Sequence, residues 1–577
     1  MVDLELRSSR WFKPRTEASA QHRAAMHALG YRPEDYADKP VIAIFNSWND
    51  LNSCNLPHKY LTEAVKRGVV AAGGFPVEFH SISTAADFMM PSDLIYRNLM
   101  SIDVEETIRA YPIDGAVLLC ECDKTCPAQL MAVASADIPA LQLAAGHRMS
   151  GWFNGQRITY ATDWWRLWDQ YQGGQLTQGE WDQVEASISC SLGGCAVMGT
   201  ASTMKLLSEV LGMMLPGTSS IPASDSRRVA AAEATGRRIV EMVREGLTPS
   251  RLMTPDAFDN AIRVLAAVGG STNAIIHLTA IAGRLGIRLT MNTFQKHFRS
   301  TPLIVNIQPS GEANMDDFYH AGGVGAIIHA LLPILNDECL TAVGKTLGMV
   351  YGSVKSTNNQ VIASLDAPIS SRPALTVLRG NLAADGAIIK SSACSPHLMK
   401  HRGRAVVFDN YADMVERIDL PGVVQDEGDV LILRNSGPVG APGMPEWGAL
   451  PIPQSLLKRG VIDMVRVSDA RMSGTAFGTI VLHVVPEAAV GGLLAYVKSG
   501  DVVSLDIEQG SISLEVSEEV IAQRKRMWRN EIPHYDRGYL RLYQRHVMQA
   551  TEGCDFDFLS LPPGQHPTLA EPIIGKS

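Results

Sequence analysis

The stretch "KPVIAIFNSW" (residues 39–48) is followed, after a polar loop, by "HKYLTEAVKRGVVAAGG" (58–74). The first is an unbroken apolar run ending in polar residues, the pattern of a strand buried on both faces. The second has helical apolar spacing and stops at two glycines. The alternation then repeats. "GFPVEFHSIS" (74–83) predicts a second strand, "SDLIYRNLMSIDVEETIRA" (92–110) a helix, "IDGAVLLCEC" (113–122) a third strand and "DIPALQLAAG" (137–146) a fourth. Strands alternating with helices imply a parallel sheet covered on both faces, and ligands gather at the carboxyl ends of such strands. Asn46–Cys54, Ser83–Asp87 and Cys122–Thr125 all follow predicted strands and are expected to converge there.

From about residue 200 to 350 the pattern is mainly helical; after about 365 it changes. "TVLRGNLAADGAIIK", "GRAVVFDN", "GDVLILRN", "GTIVLHVVPEA" and "GDVVSLDIEQGSISLEV" are short β-rich runs parted by Gly, Asp and Asn turns. The expectation is an α/β protein in two parts. Residues 1–365 form an N-terminal α/β/α domain with a parallel sheet, and residues 366–577 a C-terminal β-barrel-like domain.

A chain of 577 residues is too long for one core. A net charge of −9 leaves no basic excess to neutralise phosphates, which argues against nucleic-acid partners. No apolar run approaches the roughly 20 residues of a membrane helix, and "MVDLELRSSRWFKPRTE" lacks the apolar segment of a secretory signal. Nine cysteines, an odd count, do not look like a disulfide framework; they point to a reducing cytoplasm, with thiols either buried or ligating metal.

Three of those cysteines crowd into "CECDKTC" (120–126). Cys120 and Cys122 alternate on a predicted strand and face opposite ways, so they cannot clasp one ion together. Cys120 is expected to be a core thiol; Cys126 is either loop filler or a neighbour of the site. Cys54 in "NDLNSCN" and Cys195 in "SLGGCAVMGTAST" lie in other polar or glycine-rich loops. With Cys122 they make three loop thiols able to hold iron–sulfur.

The motifs "CDKTCPA", "GTASTM", "AAVGGSTNAIIHL", "VLRGNLAADGAIIK", "HRGRAVVF", "GAPGMPEW" and "SDARMSGTAFGTIVLHVVPEA" are long and specific. On them the chain resembles the family of dihydroxy-acid, phosphogluconate and sugar-acid (aldonate) dehydratases, from "WFKPRTEASAQHRAAM" to "EGCDFDFL". "GFPVEF", "YRNLMSIDVEE" and "MPEWGALPIP" are in the sugar-acid style rather than that of the branched-chain biosynthetic enzyme.

The resemblance implies a hydro-lyase that turns an aldonate into a 2-keto-3-deoxy acid. The alternatives are a branched-chain dihydroxy-acid dehydratase and a non-catalytic sugar-acid-binding homologue. It implies a [2Fe-2S] cluster, or in some relatives [4Fe-4S], on Cys54, Cys122 and Cys195. It also implies Mg²⁺ on Asp123, Glu446 and a carbamylated Lys124. Ser473 matches the family's alkoxide base, and Thr475 would bind substrate or orient the site. A homodimer or homotetramer is implied as well. One departure stands out: in "PVEFHSISTAADFMMPSDL" (76–94), Ala86 occupies the place of a family Mg²⁺ carboxylate. Asp87 is the adjacent substitute and Asp93 a more distant one; otherwise water fills the place or the metal binds weakly. His566 in the tail "PPGQHPTLAEP" has a counterpart in some aldonate relatives and otherwise reads as a surface histidine, and Trp164, Trp165 and Trp168 of "TDWWRLWDQY" (162–171) either bury an interface or, as the default, pack locally or in a core.

Overall fold

The computed structural model describes residues 5–530 and 532–575; the first four residues of the N-terminal stretch discussed above lie outside them. Strands β1 (Val41–Asn46), β2 (Phe75–His80), β3 (Gly115–Cys120) and β4 (Ala140–Ala144) form one sheet in the order β2-β1-β3-β4. All its pairings are parallel. β1, β3 and β4 are buried along their whole length, as their unbroken apolar sequences require.

The chain moves one way from β1 to β2, then back across β1 to β3 and on to β4. Right-handed crossovers therefore put the helix His58–Ala71 on one face, and Leu94–Ala110 and Thr125–Ala136 on the other. The helix Arg227–Glu245 joins the first face, where Gly68 and Gly236 sit at its crossing with His58–Ala71. A Cβ on either glycine would run into a backbone carbonyl of the facing helix. The strand order reverses between β1 and β3, so their carboxyl ends flank a crevice.

β5 (Gly151–Phe153) and β6 (Gln156–Ile158) form a small hairpin. Eight further strands close into a barrel: β7 (Thr376–Gly380), β8 (Ala383–Ile389), β9 (Lys400–Phe408), β10 (Val430–Leu433), β11 (Val465–Ser468), β12 (Ile480–Val485), β13 (Val502–Asp506) and β14 (Ser511–Leu514). Their order is β10-β11-β12-β8-β7-β14-β13-β9. Leu378, Ile389, Val430, Val467, Val481 and Ile512 meet in one buried cluster, so the barrel encloses a packed core rather than a channel. Val377 and Ile388, of opposite parity, join the core of the helical region and seat the barrel on it. Among the described residues no helix is long and apolar enough to cross a membrane.

Candidate active site

The crevice between β1 and β3 collects the candidate thiols. Cys54 follows β1, Cys122 lies two residues beyond β3, and Cys195 sits in the loop before the helix Thr200–Val210. β3 stops at Cys120, not at Cys122 as the sequence predicts. The intervening Glu121 turns inward, where it accepts Gly146 N at 2.7 Å and pairs with the buried Lys205. Asn55 Oδ1 accepts Cys122 N at 3.2 Å, joining the first two cysteine loops. Gly193 N donates to Ser53 O at 3.0 Å, bringing in the third. Arg148, fully buried, locks this arrangement: it donates to Gly193 O at 3.0 Å and Ser53 Oγ at 3.1 Å, with Cys54 Sγ at 3.7 Å. A hydrogen bond from Cys122 holds the Cys54 thiol below its ordinary pKa against the effect of burial, with Arg148 assisting. Burial pushes Cys195 up. Cys120 is a core thiol, as expected. Cys126 lies in the helix Thr125–Ala136 rather than in a loop, with its Sγ 3.0 Å from that of Cys120.

Beside the thiols, Lys124 is buried among three carboxylates. Its Nζ lies 3.2 Å from Asp123, 3.3 Å from Asp93 and 3.5 Å from Glu446. Burial works against the ammonium, but the acids outweigh it and raise its pKa. Glu446 also accepts from Arg471 at 2.8 Å and from Asn273 at 3.0 Å. Burial opposes its charge, yet Lys124 and Arg471 hold its carboxyl below the usual range. Asp93 Oδ2 is buried with no hydrogen-bond partner. Among the described residues no three Cys, His, Asp or Glu side chains already close around a common point at metal-ligating distance; the Lys124 ammonium stands between the three acids.

Asp87, the adjacent substitute for the missing carboxylate, does not join this cluster. Ala86 and Asp87 face outward, and Tyr160 Oη donates to Asp87 Oδ1 at 2.9 Å. The loop returns inward at Ser92 and Asp93; Asp93 precedes the helix Leu94–Ala110 without a side-chain capping bond, so its carboxylate reaches Lys124.

Ser473 stands in the loop between β11 and β12. Its Oγ and Thr475 Oγ1 are 2.8 Å apart, and Trp165 Nε1 donates to Thr475 Oγ1 at 3.2 Å. A Cβ on Gly474 would lie 2.6 Å from Ser271 Oγ and 2.7 Å from Thr200 N, so only glycine lets the loop settle on the start of the helix Thr200–Val210. The positive end of that helix favours negative charge on this loop. Ser473 and Glu446 open together on a cleft of about 450 Å³. His566 is exposed on a tail that runs past Gly286, as a surface histidine would be.

Arg148, Asn273 and Arg471 were not legible as site residues. Arg471 has a local cue: it lies two residues before Ser473, and its guanidinium ties Met444 O, Glu446 and Ser92 together at 2.7, 2.8 and 3.1 Å. Arg148 and Asn273 have no cue beyond their loops.

An α/β half and a barrel thus meet over thiols, acids and a serine. Residues 39–350 match the dihydroxy-acid/6-phosphogluconate dehydratase N-terminal family and residues 360–554 its C-terminal counterpart; the chain belongs to this family. It is 45% identical over 560 residues to an L-arabinonate dehydratase of Rhizobium leguminosarum bv. trifolii, covering 96% of each chain. A 6-deoxy-6-sulfo-D-gluconate dehydratase of Pseudomonas putida is 44% identical over 558 residues, again 96% of each. A dihydroxy-acid dehydratase of Caldicellulosiruptor saccharolyticus is 38% identical over 542 residues, 92% of this chain and 97% of that one. Dehydratases are carbon–oxygen hydro-lyases, and those of this family are generally metal-dependent.

Proposed function

We propose that this protein removes water from a sugar acid, an aldonate, to give a 2-keto-3-deoxy acid. The observation that carries the reading is that Ser473 and Glu446 face one cleft beside the Asp93–Asp123–Lys124 cluster. The greater identity to dehydratases named for sugar acids than to the one named for dihydroxy acids supports the substrate class.

The donor chemistry fits two metal groups. Cys54, Cys122 and Cys195 would hold an iron–sulfur cluster, [2Fe-2S] or alternatively [4Fe-4S], through thiolates. Asp123, Glu446 and Asp93, whose Oδ2 is buried without a partner, offer the hard oxygens Mg²⁺ prefers. Lys124 completes that set once its amine, as a carbamate, presents oxygen in place of the ammonium. When bound, these metals supply Lewis acidity towards the substrate's carboxylate and hydroxyls. The protein's own part is proton handling and positioning. Ser473 Oγ takes the proton from C2, while Thr475 fixes its orientation through the 2.8 Å contact. Arg471 and Asn273 hold Glu446 in place. A cytoplasmic setting, with all nine cysteines free, and a homodimer or homotetramer complete the reading.

The test is anaerobic reconstitution with iron, sulfide and Mg²⁺, followed by a keto-acid assay over four- to six-carbon aldonates and 2,3-dihydroxyisovalerate. Turnover of an aldonate in preference to the branched acid is expected. Preference for the branched acid, or no product from any, contradicts the reading.

A further inference from the structure

The helix Thr162–Gln172 presents two faces. Trp164 packs inward on Trp181, with ring centroids 4.9 Å apart. Trp168 also meets Trp181, at 5.0 Å, but with Trp165 and Asp169 it lines the cleft that holds Ser473 and Glu446, and Trp447 lines it from the barrel side. The Trp165–Thr475 hydrogen bond ties this aromatic wall to the serine loop.

The charges of the cleft are unevenly satisfied. Arg466 is its one cationic side chain among the described lining residues. That guanidinium is already committed: it donates to Asp463 Oδ1 at 2.8 Å and Leu450 O at 3.1 Å, and it also lies in the field of Asp169. Glu446 is likewise held by Arg471 and Lys124, which leaves Asp169 as the unpaired charge among the described lining residues. Among the described residues no donor reaches the Asp169 carboxylate, and desolvation pushes its pKa up. A half-buried carboxylate that meets no protein donor favours a ligand that brings hydroxyl groups. Indole faces favour the C–H surface of a carbon chain. The same surroundings repel a second anion.

Resting on the aldonate reading above, we propose that Asp169, with Trp165, Trp168 and Trp447, forms the subsite for the uncharged, hydroxylated tail of the acid beyond C3. This subsite rejects acids that carry a phosphate or sulfonate at the far end. The inference separates this chain from the relative named for a 6-sulfonated acid.

The experiment reads binding apart from turnover. Metal-reconstituted holoenzyme carrying Ser473→Ala, which blocks turnover, is titrated with four- to six-carbon aldonates, then with the terminal phosphate of the best-bound one, following tryptophan fluorescence. The aldonate is expected to bind at least about tenfold more tightly than its phosphate. Asp169→Asn, close in shape, weakens the aldonate by about tenfold, as loss of a hydrogen bond to a charged acceptor does. It also narrows the gap to the phosphate and leaves 2,3-dihydroxypropanoate, which has no tail, unchanged. Trp168→Phe reduces the fluorescence change while retaining binding. Equal or tighter binding of the phosphate, an Asp169→Asn protein that binds all probes as the parent does, or no saturable response to any aldonate overturns the proposal. Discrimination as expected in the titration, with no keto acid formed by the parent holoenzyme, contradicts the dehydratase reading and leaves the subsite standing.

Discussion

Lys124 Nζ lies 3.3 Å from Asp93 Oδ1, so a residue preceding the helix Leu94–Ala110 meets the loop that follows β3. The contact brings a third carboxylate to a cluster from which Ala86 and Asp87 are turned away. If Asp93 is a Mg²⁺ ligand, Asp93→Ala lowers bound Mg²⁺ by more than the roughly 10–100-fold typical of losing a ligand's outer partner. Asp87→Ala keeps it. Elemental analysis of both variants, with iron content as the internal reference, checks this; loss of Mg²⁺ from Asp87→Ala instead reverses the assignment.

Arg148 joins the Cys54 and Cys195 loops through Ser53 and Gly193. Arg148→Met is expected to weaken iron retention by roughly 10–100-fold, the scale of a ligand-orienting partner. Iron and sulfide stoichiometry after gel filtration measures this, with unchanged far-ultraviolet circular dichroism showing that the fold persists.

Much of the fold is legible in the sequence because β1, β3 and the barrel strands are short apolar runs punctuated by turn residues. The loops bearing Cys54, Cys122 and Cys195 are legible for the same reason, since they follow strands or precede a helix. Asp93 is harder: "PSDL" looks like an ordinary helix start, and only the outward path of residues 86–88 shows its side chain to be free. Glu121 is hidden by its place between two cysteines. Its partner Lys205 lies in a helix 84 residues away, and no local pattern encodes a contact over that separation.

That Glu121–Lys205 pair is buried on both sides. Removing one partner strands the other charge and typically costs about 3–5 kcal/mol. Lys205→Met should therefore destabilise strongly, and adding Glu121→Gln should restore much of the loss. Urea unfolding of the single and double variants compares them; additive losses contradict the coupling.

Glu487 and Asp469 are buried together in the barrel half. Burial, then repulsion from Asp469, raises Glu487 from 4.5 to about 7, and burial raises Asp469 to about 6. Each therefore binds protons more tightly folded than unfolded, so stability is full below the unfolded values and falls as pH rises from about 4 to 7. The Glu487 contribution is on the order of 3 kcal/mol. Glu487→Gln should flatten the decline, as read by melting temperature across that range.

The most direct measurement of the central claim compares Ser473→Ala with the parent protein, both reconstituted with iron, sulfide and Mg²⁺ and given the best aldonate. The account predicts unchanged cluster absorbance and loss of keto-acid formation in the variant. Substantial turnover by Ser473→Ala with the cluster intact would contradict the role of this serine as the base.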